Sequence, residues 1–201
     1  MSQGRALEAL VDRLLQDYLA RNHAARVIKT MLDHAGIGLK PVLDHITIRT
    51  YQIDERAKEF EALGYCYTEI LEYTDWYAKV YRAPGFPTLF IDQAYADRRG
   101  EKNVIPRWVD KFGDRTLHHV AVLVEDIERA VRRLEQEGVR FAGSIVGEKG
   151  AVLRQIFTAP ELVEETPFSV LELTERHAGY QGFSPPQAHA LMQSTVKGDV
   201  M

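Results

Sequence analysis

The chain has 201 residues, 45% of them hydrophobic and 27% charged, and a formal net charge of −4. This suits one globular unit, or two small modules sharing a core, and argues against wholesale disorder and against a non-specific nucleic-acid binder, which would be basic. No apolar run approaches the ~18 residues of a membrane-crossing helix, the N-terminus lacks a signal-peptide core, and the single cysteine, Cys66, cannot form an internal disulfide; a cytoplasmic location is expected.

Residues 5–35 read as helices. Leu7, Leu10, Leu14 and Leu15 fall at helical spacing, as do Val27, Ile28 and Met31 further on, and Gly36 and Gly38 supply a stop. This N-terminal helical segment ends near residue 40. Residues 42–49 (VLDHITIR) are rich in β-branched side chains and predict a strand. A helix over 53–63 closes at Gly64, and strands follow within 65–83 and 87–93. These elements, 41–94, form a first module. Residues 95–116 carry clustered charges and read as a connector, with a short helix around Trp108.

A second module spans 117–176. LHHVAVLV (117–124) is a strand, EDIERAVRRLEQEG (125–138) an amphipathic helix, and RFAGSIVG, AVLRQIFT and PFSVLELTER are three further strands. The tail, 177–201, reads as a cap, with a helix over 186–195 started by Ser184 and its prolines.

The two modules are copies. A shift of 74 residues places His45 on His119, Ile53 on Ile127, Ala57 on Val131, Phe60 on Leu134 and Gly64 on Gly138. On the last strands a shift of 80 places Pro87 on Pro167 and Asp92 on Glu172, implying a longer hairpin around 161–166 in the second copy. The fold class expected is α+β: two βαβββ modules forming a curved mixed sheet around a metal cleft, with the helical segment in front, all in one globular unit. Each module covers one face of its sheet with its own helix and leaves the other for a partner or ligand.

Strand parity then selects residues. Ile46 and Ile48 share the helix side, whereas His45, Thr47 and Arg49 share the other. The same alternation picks His119 over His118, and Glu172 over Glu175. Glu172 lies on an otherwise apolar strand, where a carboxylate demands a partner. Two imidazoles and one carboxylate from three strands make a facial ligand set, which suits one divalent metal ion: Fe(II) first, with Zn, Mn or Ni also accommodated. Asp92 is a possible fourth ligand. Arg49, about 13 Å along the strand from His45, is placed to grip the far end of a small acid, for which arginine is suited. Thr47 and Gln155 are further candidates for substrate contact.

The duplicated arrangement resembles the vicinal oxygen chelate superfamily, which includes glyoxalase I and the extradiol dioxygenases. HHVAVLVEDI, LRQIFTAP and FSVLELTER followed by GYQGF are similar to the C-terminal half of 4-hydroxyphenylpyruvate dioxygenase. QDYLARNHAARVIKTMLDHAG, LDHITIRTY and EALGY, with those second-copy strings, resemble the 2-oxoadipate dioxygenase/decarboxylase (hydroxyglutarate synthase) family over roughly residues 10–176. The resemblance implies iron bound by His45, His119 and Glu172 and substrate held by Arg49. This chain is much shorter than the bacterial members, and His118 stands where asparagine or aspartate is the family pattern.

The expected function is therefore a non-haem Fe(II) dioxygenase/decarboxylase taking a small 2-oxo acid and O₂, without nucleic-acid or membrane partners; a homodimer is compatible with the sequence. A glyoxalase-type lyase, isomerase or hydrolase is the alternative, favoured if Asp92 completes four ligands. A non-catalytic small-molecule binder is a third reading.

Overall fold

The computed structural model describes residues 3–183 and 191. The helix expected over 186–195, with its Ser184 cap, lies outside the described residues except for Leu191, which is helical and packs with Phe157 and Val170. The chain forms two units: residues 1–19 with 45–118, and residues 20–44 with 119–201.

The N-terminal helices, which looked like one segment, divide between these units. Helix α1 (Gln3–Arg21) is aligned mainly with the first, burying Leu7, Leu10 and Leu14, and the Gln3 side-chain amide donates to the Ala62 carbonyl at 3.0 Å. Helix α2 (His23–His34) belongs to the second. Between them Asn22 leaves helical geometry (φ −116°, ψ 114°) and accepts the Ala25 N–H at 2.9 Å. Its amide nitrogen donates to Ser169 Oγ at 3.0 Å, and the His23 N–H donates to Glu161 at 2.7 Å. The break at Asn22 thus starts a new helix and attaches it to the second unit.

In the first unit, β1 (Leu43–Arg49), α3 (Ile53–Glu61), β2 (Cys66–Glu72), β3 (Trp76–Arg82) and β4 (Thr88–Ala94) follow in the expected order. The strands lie in the order β2-β3-β4-β1; β1 and β4 are parallel and the other pairs antiparallel. Ile53, Ala57 and Phe60 are the buried stripe of α3. The connector contributes α4 (Ile105–Phe112), which buries Ile105, Trp108 and Val109.

The second unit repeats the plan with β5 (Leu117–Leu123), α5 (Ile127–Gln136), β6 (Phe141–Val146), β7 (Leu153–Thr158), β8 (Glu161–Val163) and β9 (Thr166–Arg176). Its order is β5-β9-β7-β6, again with one parallel pair, β5 and β9. The short β8 pairs with β9, and the turn between them holds Glu164 and Glu165 at φ 49° and 62°. Two consecutive positive φ values match the twist of a tight hairpin, and this is the longer hairpin expected near 161–166.

Backbone hydrogen bonds show how the copies correspond. The Thr50 N–H donates to the Asp92 carbonyl and the Val124 N–H to the Thr174 carbonyl, both at 2.9 Å. The first helical N–H of α3, at Ile53, donates to Gln93 Oε1 at 2.8 Å, and that of α5, at Ile127, to Glu175 Oε2 at 2.6 Å. The donors in each pair are about 74 positions apart and the acceptors about 82, consistent with the strand register. The expected offset of 80 on the last strand is therefore corrected. Asp92 corresponds to Thr174, and the counterpart of Glu172 is Phe90. The β8–β9 hairpin lengthens the second copy by two residues more than aligning Pro87 with Pro167 allowed.

Candidate functional site

Glu172 sits on β9, 2% exposed, on the face turned away from α5. Its neighbours in register are Ala121 on β5 and Phe157 on β7. Two donors hold one of its oxygens: Gln155 Nε2 reaches Oε1 at 2.6 Å and Thr174 Oγ1 at 2.8 Å. The other oxygen, Oε2, lies 3.5 Å from Nε2 of His119. That is longer than an ordinary N–H···O bond. Two ligand atoms bonded at ~2.1 Å to one cation and subtending 90–110° stand ~3.0–3.5 Å apart. The distance is one that two ligands of a divalent metal could also adopt, and both side chains are buried (7% and 2% exposed).

The same face explains Gln155. Its side-chain amide is spent on the carboxylate, so it orients Glu172. Glu175 points to the opposite side, as parity requires. There it caps α5 through the Ile127 N–H and meets Arg154 Nη1 at 3.3 Å and His177 Nε2 at 2.6 Å. Arg154 also makes two bonds to Glu128, at 2.6 and 3.0 Å. Asp126, Glu128 and Glu175 gather closely enough to suggest a second cation site, but each is already engaged: Asp126 caps the Arg129 N–H at 2.8 Å, and the other two share Arg154.

In the first unit, His45, Thr47 and Arg49 are all buried, at 3%, 1% and 3% exposure. The His45 ring lies 4.9 Å from the Phe90 ring. Arg49 is the register partner of Asp92, so their side chains leave the same face. Burial lowers the Arg49 guanidinium to about 10, against the opposing pull of Asp92. Burial raises the Asp92 carboxyl to about 7, with Arg49 and His45 acting the other way. Asp92 is thus a companion of Arg49 and lies at the position of Thr174, while an aromatic ring fills the position of Glu172.

Sequence reasoning missed two features here. Arg49 packs over Trp108 of α4, with the guanidinium carbon 5.6 Å from the ring centroid. His118 meets the same indole edge-on at 5.7 Å. A helix was expected around Trp108, but no periodicity in the connector says which strand face it covers. Second, Arg176 shares the face of Glu172 and spends its donors locally. It forms a two-point pair with Asp44 at 2.6 and 2.9 Å, donates to the Gly182 carbonyl at 2.8 Å and lies 4.7 Å from the Phe183 ring. The segment 177–183 is thereby held onto the end of β9.

The duplicated βαβββ units define a class, the glyoxalase-fold proteins, and the histidine and glutamate side chains are of a kind that could hold a divalent metal. The chain belongs to the glyoxalase/bleomycin resistance protein/dioxygenase superfamily, whose family model matches residues 44–156, more than half of its length. Solved structures agree at the level of fold. A protein of Shewanella frigidimarina, provisionally described as a hydrolase, is 20% identical with a TM-score of 0.72; the alignment covers 89% of this chain and 98% of that one. A 4-hydroxymandelate synthase variant from Streptomyces coelicolor is 22% identical at 0.64, over 78% of this chain and 55% of that one. Methylmalonyl-CoA epimerase of Mycobacterium tuberculosis is 22% identical at 0.52, over 69% and 89%. No curated protein matches by sequence. Among the described residues no helix is long and apolar enough to cross a membrane.

Proposed function

We propose that the protein is a metal-dependent oxygenase, a non-haem Fe(II) dioxygenase/decarboxylase of a small 2-oxo acid, with His45, His119 and Glu172 as the metal ligands. The observation that carries this reading is the state of Glu172: one oxygen fixed by Gln155 and Thr174, the other 3.5 Å from the His119 imidazole. His45 occupies in the first copy the strand position that His119 occupies in the second. The first copy offers Phe90 rather than a carboxylate at the position of Glu172, and among the described residues the group holds three candidate ligands. Three ligands leave coordination positions open for a substrate and O₂, which supports an oxygenase over a glyoxalase-type enzyme completed by a fourth side chain.

Bound Fe(II) would supply the Lewis-acid and O₂ chemistry. The protein's own part is to bind and orient. Arg49 holds the distal carboxylate of the acid, with Asp92 and the Trp108 ring fixing the guanidinium. Thr47, between His45 and Arg49 on the same strand face, lines the path of the bound acid. Gln155 and Thr174 keep the Glu172 carboxylate turned, and Arg176 keeps the segment 177–183 packed against the strand end.

The test is oxygen consumption after anaerobic loading with Fe(II), across a panel that includes 2-oxoadipate and arylpyruvates. Uptake that matches CO₂ release and vanishes in Glu172→Gln supports the proposal. Turnover of a substrate without O₂, with Zn(II) or Ni(II) serving equally well, would replace it with the glyoxalase-type reading.

A further inference from the structure

Asp92 is a carboxylate in the interior of the first unit, 3% exposed. Gln93, the next residue on β4, accepts the first N–H of α3, so alternation turns Asp92 to the opposite face, in register with Arg49 on β1 and Ala78 on β3. Among the described residues its carboxylate accepts no hydrogen bond and forms no close ion pair; Arg49 and His45 act on it through charge alone. Its other neighbours on that face, Trp76, Ala78 and Val80 of β3 and Phe90 of β4, are buried and apolar. Helix α4, which packs on β4, turns Ile105, Trp108 and Val109 inward and leaves Arg107, Asp110 and Lys111 exposed.

The fold does not require this charge. At the same register position the second copy pairs Leu123 with Thr174, neither of them charged, on strands that pair in the same way. A carboxylate buried without a bonded partner costs stability, and a titratable group kept at that cost marks a site of function. The neighbouring guanidinium limits what the site can accept. If Asp92 stays ionised, a ligand carboxylate brought to Arg49 makes two negative charges on one positive charge in a buried place. Two carboxylates in such a position hold a proton between them, and a protonated carboxyl becomes a donor.

We propose that Asp92 is a substrate-binding residue that takes up one proton as the distal carboxylate of the acid binds, and donates it in a hydrogen bond to that carboxylate while Arg49 supplies the positive charge. This rests on the reading of Arg49 as the grip on a distal carboxylate. The proton passes from solvent to an oxygen of Asp92, no other covalent bond changes, and the group of one guanidinium, one carboxylate and one carboxylic acid is neutral. Burial already raises Asp92 to about 7, so the proton is available near neutral pH.

Anaerobic titration calorimetry on the full chain, with and without Fe(II), tests this with 2-oxoadipate and 2-oxohexanoate, which differ only in the distal carboxylate. In phosphate and Tris at pH 8, whose ionisation heats differ, 2-oxoadipate should take up about one proton more than 2-oxohexanoate. A site that must be protonated and has a pKa of about 7 is disfavoured about tenfold at pH 8. The affinity for 2-oxoadipate relative to 2-oxohexanoate should therefore fall about tenfold between pH 6 and pH 8. Asp92→Asn carries a neutral donor in the same place, so it should abolish the extra proton and bind 2-oxoadipate about tenfold more tightly than the unmodified chain at pH 8, whereas loss of a merely structural carboxylate would weaken both acids. Equal proton uptake by the two acids overturns the proposal, as does weaker binding of 2-oxoadipate by Asp92→Asn at pH 8. Failure of 2-oxoadipate to bind at millimolar concentration also overturns it, and oxygen uptake with an arylpyruvate in that case leaves the proposed oxygenase standing without this site.

Discussion

At the residue scale, a carboxylate's usefulness as a ligand depends on what holds its other oxygen. Glu172 is buried, and two donors on one oxygen leave the second oriented toward His119. Partners that orient a metal ligand are worth ~10–100-fold in metal affinity. Gln155→Leu and Thr174→Val should therefore each weaken Co(II) or Fe(II) binding by about that factor, with the far-ultraviolet circular dichroism unchanged. Equal affinity in both variants would mean that neither orients the carboxylate. The need for a partner at Glu172 is legible in the sequence, because a charged residue interrupts an apolar strand and parity sets its direction. The identity of the partners is not, since Gln155 comes from a different strand whose register only pairing defines.

At the element scale, Asn22 joins two helices that run together in the sequence. It caps α2 at Ala25 and donates to Ser169, and both Asn22 and Ser169 are buried, at 0% and 1% exposure. Asn22→Ala removes a cap worth ~1 kcal/mol and leaves a buried hydroxyl without its donor, a further ~1 kcal/mol or more. A loss of about 2 kcal/mol in urea unfolding is expected, and Asn22→Ser, whose single short hydroxyl does not span both partners, should recover the cap but not the bond to Ser169. The hydrophobic spacing of residues 5–35 shows that helices form there. It does not show that the first is placed with residues 45–118 and the second with residues 119–183, because both present similar leucine- and isoleucine-rich faces. Helix α4 follows the same rule: the sequence leads one to expect a short helix around Trp108, and only packing places that ring by Arg49.

At the scale of the whole molecule, the acid cluster around Arg154 ties the second unit's stability to pH. Burial pushes Glu175 up, but the Ile127 amide, His177 and Arg154 together outweigh it and lower its pKa. The Arg154 hydrogen bonds, with its own amide, lower Glu128 from 4.5 to about 2. A carboxylate whose folded pKa is depressed contributes stability that is present above its unfolded pKa and disappears as pH falls through the folded one. The contribution of these two carboxylates to the urea midpoint should thus be level above about pH 5 and decline from about 4.5 toward 2, while Asp92, raised to about 7, adds a separate loss as pH rises from about 4 to 7. Arg154→Gln should lower the plateau and flatten that decline, which a series of melts in buffers from pH 7 to 2.5 will reveal.

Composition, periodicity and internal repetition alone determined the duplicated strand–helix plan, the α+β class and the strand faces on which His45, His119, Glu172 and Arg49 lie, because alternation and helical spacing are local properties of the chain. The tertiary structure decided what depends on register: that Phe90 rather than Asp92 corresponds to Glu172, that Asp92 accompanies Arg49, and that Gln155 serves the carboxylate. A hairpin lengthened by two residues moves every later correspondence between the copies without altering which side of the strand a residue faces. Hydrogen-bonded pairing between strands distant in sequence carries that information, and no local pattern does.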